Sequence, residues 1–164
     1  MFIERINKFW KYRTVKKEMI IIKTFQSPNY SQRKSKIDSI IIHHTGGSFP
    51  GCVHWLCNKE ARVSAHYVIN ELGQIYELVP DHFRAWHAGR GAFDLNQDGI
   101  ISESEKYFND HSIGIELVAY PDDEDGKYHY SKSMKASLNS LVYAKLYEHK
   151  ISYRNILGHK EIAP

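Results

Sequence analysis

Two histidines and one glutamate occupy positions where the sequence predicts a strand end or a strand face. His43 directly follows the three β-branched isoleucines of SIIIHH, His159 follows ILG, and Glu116 lies within SIGIEL. A catalytic zinc ion takes about three protein ligands from histidine, cysteine or carboxylate side chains and keeps one position open for water. These residues are therefore the parts of a hydrolytic zinc site. The chain has ten histidines, so residue type alone leaves a structural role open for each.

A second pattern, DLNQDGIISESE at residues 94–105, has the residue types of an EF-hand calcium loop. Gly99 stands at the sixth position, where the loop bends sharply. The preceding HAGRGAF is a poor entering helix, and the sequence shows no second loop of this kind. Calcium binding and a solvated acidic loop therefore both stay open. The candidate ligands, at loop positions 1, 3, 5, 7, 9 and 12, are Asp94, Asn96, Asp98, Ile100, Ser102 and Glu105.

The elements that must position these residues mix strands and helices. Strand patterns occur in DSIIIHH, VSAHYVI, QIYELV, SIGIELV and YRNILGH. Helix patterns occur in PGCVHWLCNKEA and in the apolar stripe between Ser131 and His149. This mixture predicts an α/β fold, a single domain in which a central mixed β-sheet is flanked by helices.

Composition and charge favour one ordinary globular domain. The chain has 164 residues, of which 42% are hydrophobic and 25% charged, and its formal net charge is +3. Basic residues concentrate at the start, which predicts a basic N-terminal extension over 1–26 and one domain over 27–164. The weak charge predicts no nucleic-acid partner, and no apolar run is long enough to span a membrane.

Cysteine usage and the absence of a recognisable export signal predict a cytoplasmic location. Cys52 and Cys57 would point to different sides of a helix, so two reduced thiols are expected rather than a disulfide. The apolar run MIIIKTF is too short for the core of a signal peptide. A phage enzyme that is released to the wall by another protein would have the same features.

Five strips of sequence resemble one protein family. In chain order they are IIIHHTGG, WLCNKEARVSAHYVI, RAWHAG, NDHSIGIEL and LGHKEIAP. They resemble the type 2 N-acetylmuramoyl-L-alanine amidases, especially the AmpD-like branch, which is related to phage lysozyme-amidases and peptidoglycan recognition proteins. The resemblance runs from about Ser27 to Pro164.

The resemblance implies a zinc amidase that cuts between N-acetylmuramic acid and the L-alanine of the stem peptide. By the same resemblance His43 and His159 are zinc ligands, and Glu116 is the catalytic general base. The implied partner is peptidoglycan or a muropeptide, and the chain is expected to be a monomer. DLNQDGIISESE then becomes an insertion at the rim of the substrate groove.

The resemblance also implies three residues that line or support the groove. Arg62 could hold a carboxylate of the stem peptide through its planar guanidinium group. Trp86 could lie against sugar or peptide, and a core aromatic role for it stays open. Asn109 completes this group, and His87 of RAWHAG could belong to either the groove or the core.

In the family, LGHKEIAP is followed by a lysine and by an aspartate or cysteine that is the third zinc ligand. The sequence ends at Pro164, before these positions. A fragment of a longer protein, a natural truncation, and a substitute carboxylate such as Glu161 are the three explanations. A non-catalytic peptidoglycan-binding module and a calcium-responsive protein therefore remain as alternative functions.

Overall fold

The computed structural model describes residues 19–121 and 127–163, so most of the basic segment expected at 1–26 lies outside the described residues. Within these ranges the regular elements follow the sequence patterns closely. The strands are β1 Ile21–Ile22, β2 Tyr30–Gln32, β3 Ser39–His44, β4 Tyr67–Ile69, β5 Ile75–Glu77, β6 Phe83–Ala85, β7 Ser112–Leu117 and β8 Ile156–Gly158. The helices are α1 Gly51–Leu56, α2 Lys132–His149 and α3 His159–Ile162. The pattern-based predictions of β3, β4, β5, β7, β8, α1 and α2 are confirmed.

The central sheet has six strands in the order β1-β5-β4-β7-β3-β8. Only the β4–β5 pair is antiparallel, and β2 pairs with β6 in a separate two-stranded sheet. The predicted α/β fold with a central mixed sheet is thereby confirmed. No helix among the described residues is long and apolar enough to cross a membrane.

Strand β3 lies between β7 and the edge strand β8, and it is apolar on both faces. It runs parallel to β7 on one side and to β8 on the other. Ile40 and Ile41 point to opposite faces, and both are fully buried. A parallel strand that is covered on both faces is expected to read as a continuous β-branched run. His43 shares its face with Ile41 because side chains alternate along a strand.

The two faces of the sheet carry two hydrophobic clusters of different size. The larger cluster joins Ile40 to apolar residues of α1 and α2, including Val53 and Leu141. The smaller cluster lies on the His43 face and consists of Ile41, Ala88, Phe108, Leu157 and Ile162. It supports the loops and the short helix α3 that surround His43.

Arg33 fastens two loops that lead into the candidate site. Its Nε donates to the carbonyls of Asp81 and Phe83 at 2.9 and 3.2 Å. Its Nη1 and Nη2 donate to the carbonyls of Asp110 and Ser112 at 3.0 and 2.9 Å. One planar guanidinium group thus satisfies carbonyls at the start of β6 and at the start of β7.

We expect Arg33→Lys to lower the free energy of unfolding by about 3 kcal/mol, because an ammonium group cannot reach all four carbonyls at once. Denaturant titration measures this difference. Arg154→Lys, at an exposed arginine, serves as the matched control and should stay within about 0.5 kcal/mol of the wild type. Equal stability of the two variants would contradict the fastening role of Arg33.

Candidate active site

The topology brings His43, Glu116 and His159 to one edge of the sheet. His43 is the register partner of Glu116 across the parallel β3–β7 pair. His159 follows directly on β8, the other parallel neighbour of β3, and begins α3. Register partners in parallel strands present their side chains on the same face. The two predicted ligands and the predicted base therefore lie side by side.

A third histidine, His87, joins the two predicted ligands. His43 Nδ1 lies 2.7 Å from His159 Nδ1, and the two rings are nearly perpendicular. His43 Nε2 lies 3.0 Å from His87 Nδ1. His87 Nε2 reaches the Ser112 hydroxyl at 3.1 Å. The ring of His43 is thus held at both nitrogens.

All three histidines are neutral near pH 7. Burial, followed by the proximity of His159, lowers the pKa of His43 to about 3. Burial also lowers the pKa of His159, and burial next to His43 lowers the pKa of His87 well below its ordinary value. Neutral imidazole is the form that binds metal ions, so these histidines do not have to release a proton before the site binds a cation.

The facing Nδ1 atoms of His43 and His159 fit two of the about three protein ligands of a catalytic zinc. Within residues 19–121 and 127–163, no third histidine, cysteine or carboxylate ligand atom converges on them to within 4.8 Å. The substitute considered from sequence, Glu161, is directed elsewhere, since its Oε2 accepts from Gly158 N at 2.6 Å. Glu161 therefore caps α3 in this structure.

Glu116 combines burial with the lack of a hydrogen-bond partner. Its Oε2 atom is buried and has no partner in the part of the chain that the structure describes. Burial raises the pKa of Glu116 to about 7. A carboxylate with a pKa near the working pH is well matched to taking up and giving back a proton.

Glu116 opens onto a cleft of about 420 Å³ between α1 and the RAWHAG loop. Aromatic and apolar side chains form much of its wall, which suits a ligand with sugar and alkyl surfaces. Its lining residues are Thr45, Gly47, Gly51, Cys52, Trp55, Leu56, Val63, Ser64, Trp86, His87 and Glu116. The exposed Trp55 was not singled out from the sequence.

The three residues predicted to line or support the groove take different positions. Trp86 lines the cleft, and its indole Nε1 donates to the Ser31 hydroxyl at 3.3 Å. Arg62 is exposed beside the cleft in the left-handed backbone region, with φ of 52°. Asn109 is buried beneath the cleft, where its Oδ1 accepts from the backbone of His87 at 2.9 Å. Only Trp86 among them contributes to the cleft wall.

Sequence reasoning did not find the residues that hold His87 in place. Gly114 lies directly under the ring, because a Cβ atom there would stand 2.4 Å from His87 Cγ. Ser112 lies two residues before Gly114 on the same face of β7, and its hydroxyl is hydrogen-bonded to Nε2 of the His87 ring. A glycine inside an alternating strand is a usable signal for such a close approach.

The segment 94–105 forms a loop whose carboxylates bond its own backbone. Asp94 Oδ2 accepts from Gly99 N at 2.8 Å, and Gly99 has a φ of +83°. Glu105 is buried, and its Oε2 accepts from Ser102 N at 2.8 Å. Among the described residues, the carboxylate oxygens of Asp94, Asp98 and Glu105 do not converge to within 4.8 Å of one another. The loop is thus closed by hydrogen bonds between its acidic side chains and its backbone.

One group of possible ligand atoms does converge, away from the cleft: Asp81, Glu148 and His149. The Lys145 ammonium lies 2.7 Å from Asp81 and 2.8 Å from Glu148. The Tyr67 hydroxyl donates to Asp81 at 2.8 Å. Because the ammonium already supplies the positive charge, the group is an ion-pair network that joins α2 to the sheet.

Comparison with known proteins finds relatives over most of the chain. A family model described as N-acetylmuramoyl-L-alanine amidase matches residues 33–164. The N-acetylmuramoyl-L-alanine amidase AmiD of Escherichia coli K12 is 29% identical over 140 residues, which are 79% of this chain and 47% of AmiD. The 1,6-anhydro-N-acetylmuramyl-L-alanine amidase AmpD of Citrobacter freundii is 32% identical over 103 residues, which are 63% of this chain and 48% of AmpD.

A solved structure shares the fold. It is AmiD from E. coli in complex with the substrate anhydro-N-acetylmuramic acid-L-Ala-D-γ-Glu-L-Lys. The TM-score is 0.62 at 28% identity, and the match covers 78% of this chain and 50% of AmiD. The chain thus spans about half the length of each of these relatives.

Proposed function

The chain belongs to the N-acetylmuramoyl-L-alanine amidase family, and on that premise we propose that it hydrolyses the amide between N-acetylmuramic acid and the L-alanine of the stem peptide. One observation carries the proposal. Glu116, whose buried Oε2 has no partner among the described residues, is the register partner of His43 and lines a cleft that is open to a ligand, and His43 faces His159 through Nδ1.

The donor set supports zinc as the cofactor. His43 and His159 would hold the ion through Nδ1, and both rings are neutral. When bound, zinc would supply Lewis acidity, which polarises the scissile carbonyl and favours attack by water.

Glu116 would move the proton of the reaction. As a carboxylate it would accept a proton from the attacking water while the C–N bond still holds. It would then donate that proton to the departing nitrogen of L-alanine. The hydroxyl of the water stays on the lactyl carbonyl carbon, so the products are a free lactyl carboxylate and a free amine. The pKa of about 7 allows both transfers near neutral pH.

A second function, peptidoglycan binding without turnover, is favoured by one observation. The described residues supply two converging metal ligands where a catalytic zinc takes about three. The cleft with Trp86 would remain able to bind a muropeptide without that ion.

Incubation with anhydro-N-acetylmuramic acid-L-Ala-D-γ-Glu-L-Lys, followed by mass spectrometry, separates the two functions. The amidase proposal expects release of the tripeptide, stoichiometric zinc in the protein, loss of activity with a chelator and recovery with zinc. Binding of the intact compound without zinc and without cleavage would instead establish the binding module.

We further propose that the loop 94–105 binds a calcium ion that stabilises the rim of the cleft. Its residue types at the six ligand positions support this, as does the turn at Gly99 with a φ of +83°. Phe93 and Leu95 pack against the small cluster around Ile41 that underlies the site. Ordering the loop would therefore stabilise that cluster.

Calcium is expected to raise the Tm of the wild type and to leave the Tm of Asp98→Ala unchanged, because Asp98 would supply a ligand oxygen. Thermal unfolding with and without calcium measures the difference. Glu103→Ala removes an exposed carboxylate from a non-ligand position of the same loop and should respond as the wild type does. If calcium leaves the Tm of all three proteins unchanged, the loop is a solvated acidic insertion.

A further inference from the structure

A short row of hydrogen bonds leads from the backbone to His43. The Ser112 hydroxyl is in hydrogen-bond contact with the Phe108 carbonyl and lies 3.1 Å from His87 Nε2. His87 Nδ1 lies 3.0 Å from His43 Nε2. We call these three hydrogen-bonded residues, Ser112, His87 and His43, the histidine row.

Only one direction of donation is consistent along the histidine row. A carbonyl oxygen can only accept, so the single hydroxyl proton of Ser112 goes to Phe108, and the hydroxyl oxygen accepts from His87 Nε2–H. A neutral imidazole carries one N–H, which leaves His87 Nδ1 as an acceptor. His43 Nε2–H must then donate to His87 Nδ1, and the lone pair of His43 stays on Nδ1.

We propose that Ser112 and His87 are positioning residues that hold His43 in the Nε2–H tautomer, with its Nδ1 lone pair directed at the metal position. The inference rests on the proposed function, because that lone pair faces His159 Nδ1 at 2.7 Å, where zinc would bind. A partner at the second ring nitrogen of a ligand histidine fixes the tautomer and raises metal affinity. Here that partner is another histidine, whose own tautomer is set by a serine of β7.

The surroundings of His87 keep the histidine row in place. Ser112 is fully buried, so water does not compete for its hydroxyl. Asn109 Oδ1 accepts from the backbone N–H groups of His87 and Ala88 at 2.9 and 2.8 Å. Gly114 leaves room for the ring, since a Cβ atom at that position would overlap it. The row therefore joins three separate segments, and its two ends, Ser112 and His43, are buried.

His159 differs from His43 in this respect. No second hydrogen bond is made by the His159 ring to residues 19–121 or 127–163 beyond its contact with His43. In the metal-free chain His159 Nδ1–H therefore donates to the lone pair on His43 Nδ1. One ligand is fixed in advance, and the other is free to change tautomer.

Nitrogen-15 NMR of histidine side chains in the metal-free full chain tests the proposal without any substitution. We expect the Nε2–H tautomer for His43 and His87 and the Nδ1–H tautomer for His159. A His43 ring that carries its proton on Nδ1 would overturn the proposal.

Ser112→Ala tests the far end of the histidine row. Without the hydroxyl, His87 has no acceptor that selects its tautomer, so His87 and His43 are both expected to populate mixed tautomers. Zinc affinity, measured by competition with a chelating dye, should fall about tenfold. Ser39→Ala is the matched control, because Ser39 is the buried register partner of Ser112 and does not contact His87.

Wild-type tautomers and wild-type zinc affinity in Ser112→Ala would contradict the proposal. If Ser112→Ala does not fold, the tautomers of the wild type alone decide the question. The tautomer measurement needs neither zinc nor turnover. A chain that binds no zinc and cleaves no muropeptide would therefore end the proposed function, while the tautomer of His43 is still read separately.

Discussion

Replacing Glu116 by glutamine is expected to lower kcat for muropeptide hydrolysis by ~10²–10⁴-fold, the usual contribution of a general base. Glutamine has nearly the same shape but cannot accept the proton of the attacking water. Zinc affinity should be unchanged, because the two facing ring nitrogens belong to His43 and His159. Steady-state kinetics with the anhydro-muropeptide and a zinc competition assay measure the two quantities.

The pH dependence of the wild type provides an independent check on this role. A base must be ionised to act, so activity is lost as the pH falls through the pKa of Glu116. Burial raises that pKa to about 7, and a bound cation nearby would lower it. The acidic limb of kcat/KM should therefore lie at or somewhat below pH 7. It should be absent from the residual activity of Glu116→Gln.

Stability shows whether Glu116→Gln is folded. The pKa of Glu116 is raised from 4.5, the ordinary value for a glutamate, to about 7. The metal-free wild type therefore loses stability as the pH rises from 4.5 through about 7. Glutamine has no such loss, so at pH 8 the variant should be more stable than the wild type, by at most about 3 kcal/mol. Full activity in a folded Glu116→Gln protein would assign the base to another residue.

The candidate ligands and base could be predicted because local patterns determine where they stand. The run before His43 is apolar and β-branched and the run before His159 is short and apolar, and parallel strands end at a common edge of the sheet. The alternation in SIGIEL similarly gives the face of Glu116. Each of these signals is contained within six or seven residues.

The rest depends on contacts between distant segments, which no local pattern reports. Asn109 is polar and close to Glu116 in the sequence, yet its side chain lies beneath the cleft and accepts a hydrogen bond from the backbone N–H of His87. Arg33 donates to carbonyls that precede β6 and β7, far along the chain. Strand β1 has only two residues, and β2 (YSQ) and β6 (FRA) are short and partly polar, so no apolar run marks β2 or β6 in the sequence.

Gly114→Ala is expected to disrupt the site although Gly114 bears no side chain and contacts no proposed ligand directly. The added Cβ would stand 2.4, 2.6 and 2.7 Å from Cγ, Cδ2 and Nδ1 of His87. The ring cannot swing aside freely, because Asn109 holds its backbone and Ser112 holds its far nitrogen. We therefore expect a loss of about 1–3 kcal/mol in the free energy of unfolding and a loss of ~10–100-fold in zinc affinity.

Two further variants distinguish overlap with His87 from a general intolerance of substitution in the site. Gly47→Ala adds the same atom to another glycine of the cleft, where a Cβ meets nothing within 4 Å, and should leave stability and zinc affinity unchanged. In Gly114→Ala/His87→Ala the ring that overlaps the new Cβ is gone, so the double variant should be no less stable than His87→Ala alone. A double-mutant cycle from denaturant titrations measures this coupling. Additive losses in that cycle would show that Gly114 is required for a reason other than the close approach of His87. Strong coupling would establish that His87 can lie beside His43 only because residue 114 of β7 is a glycine.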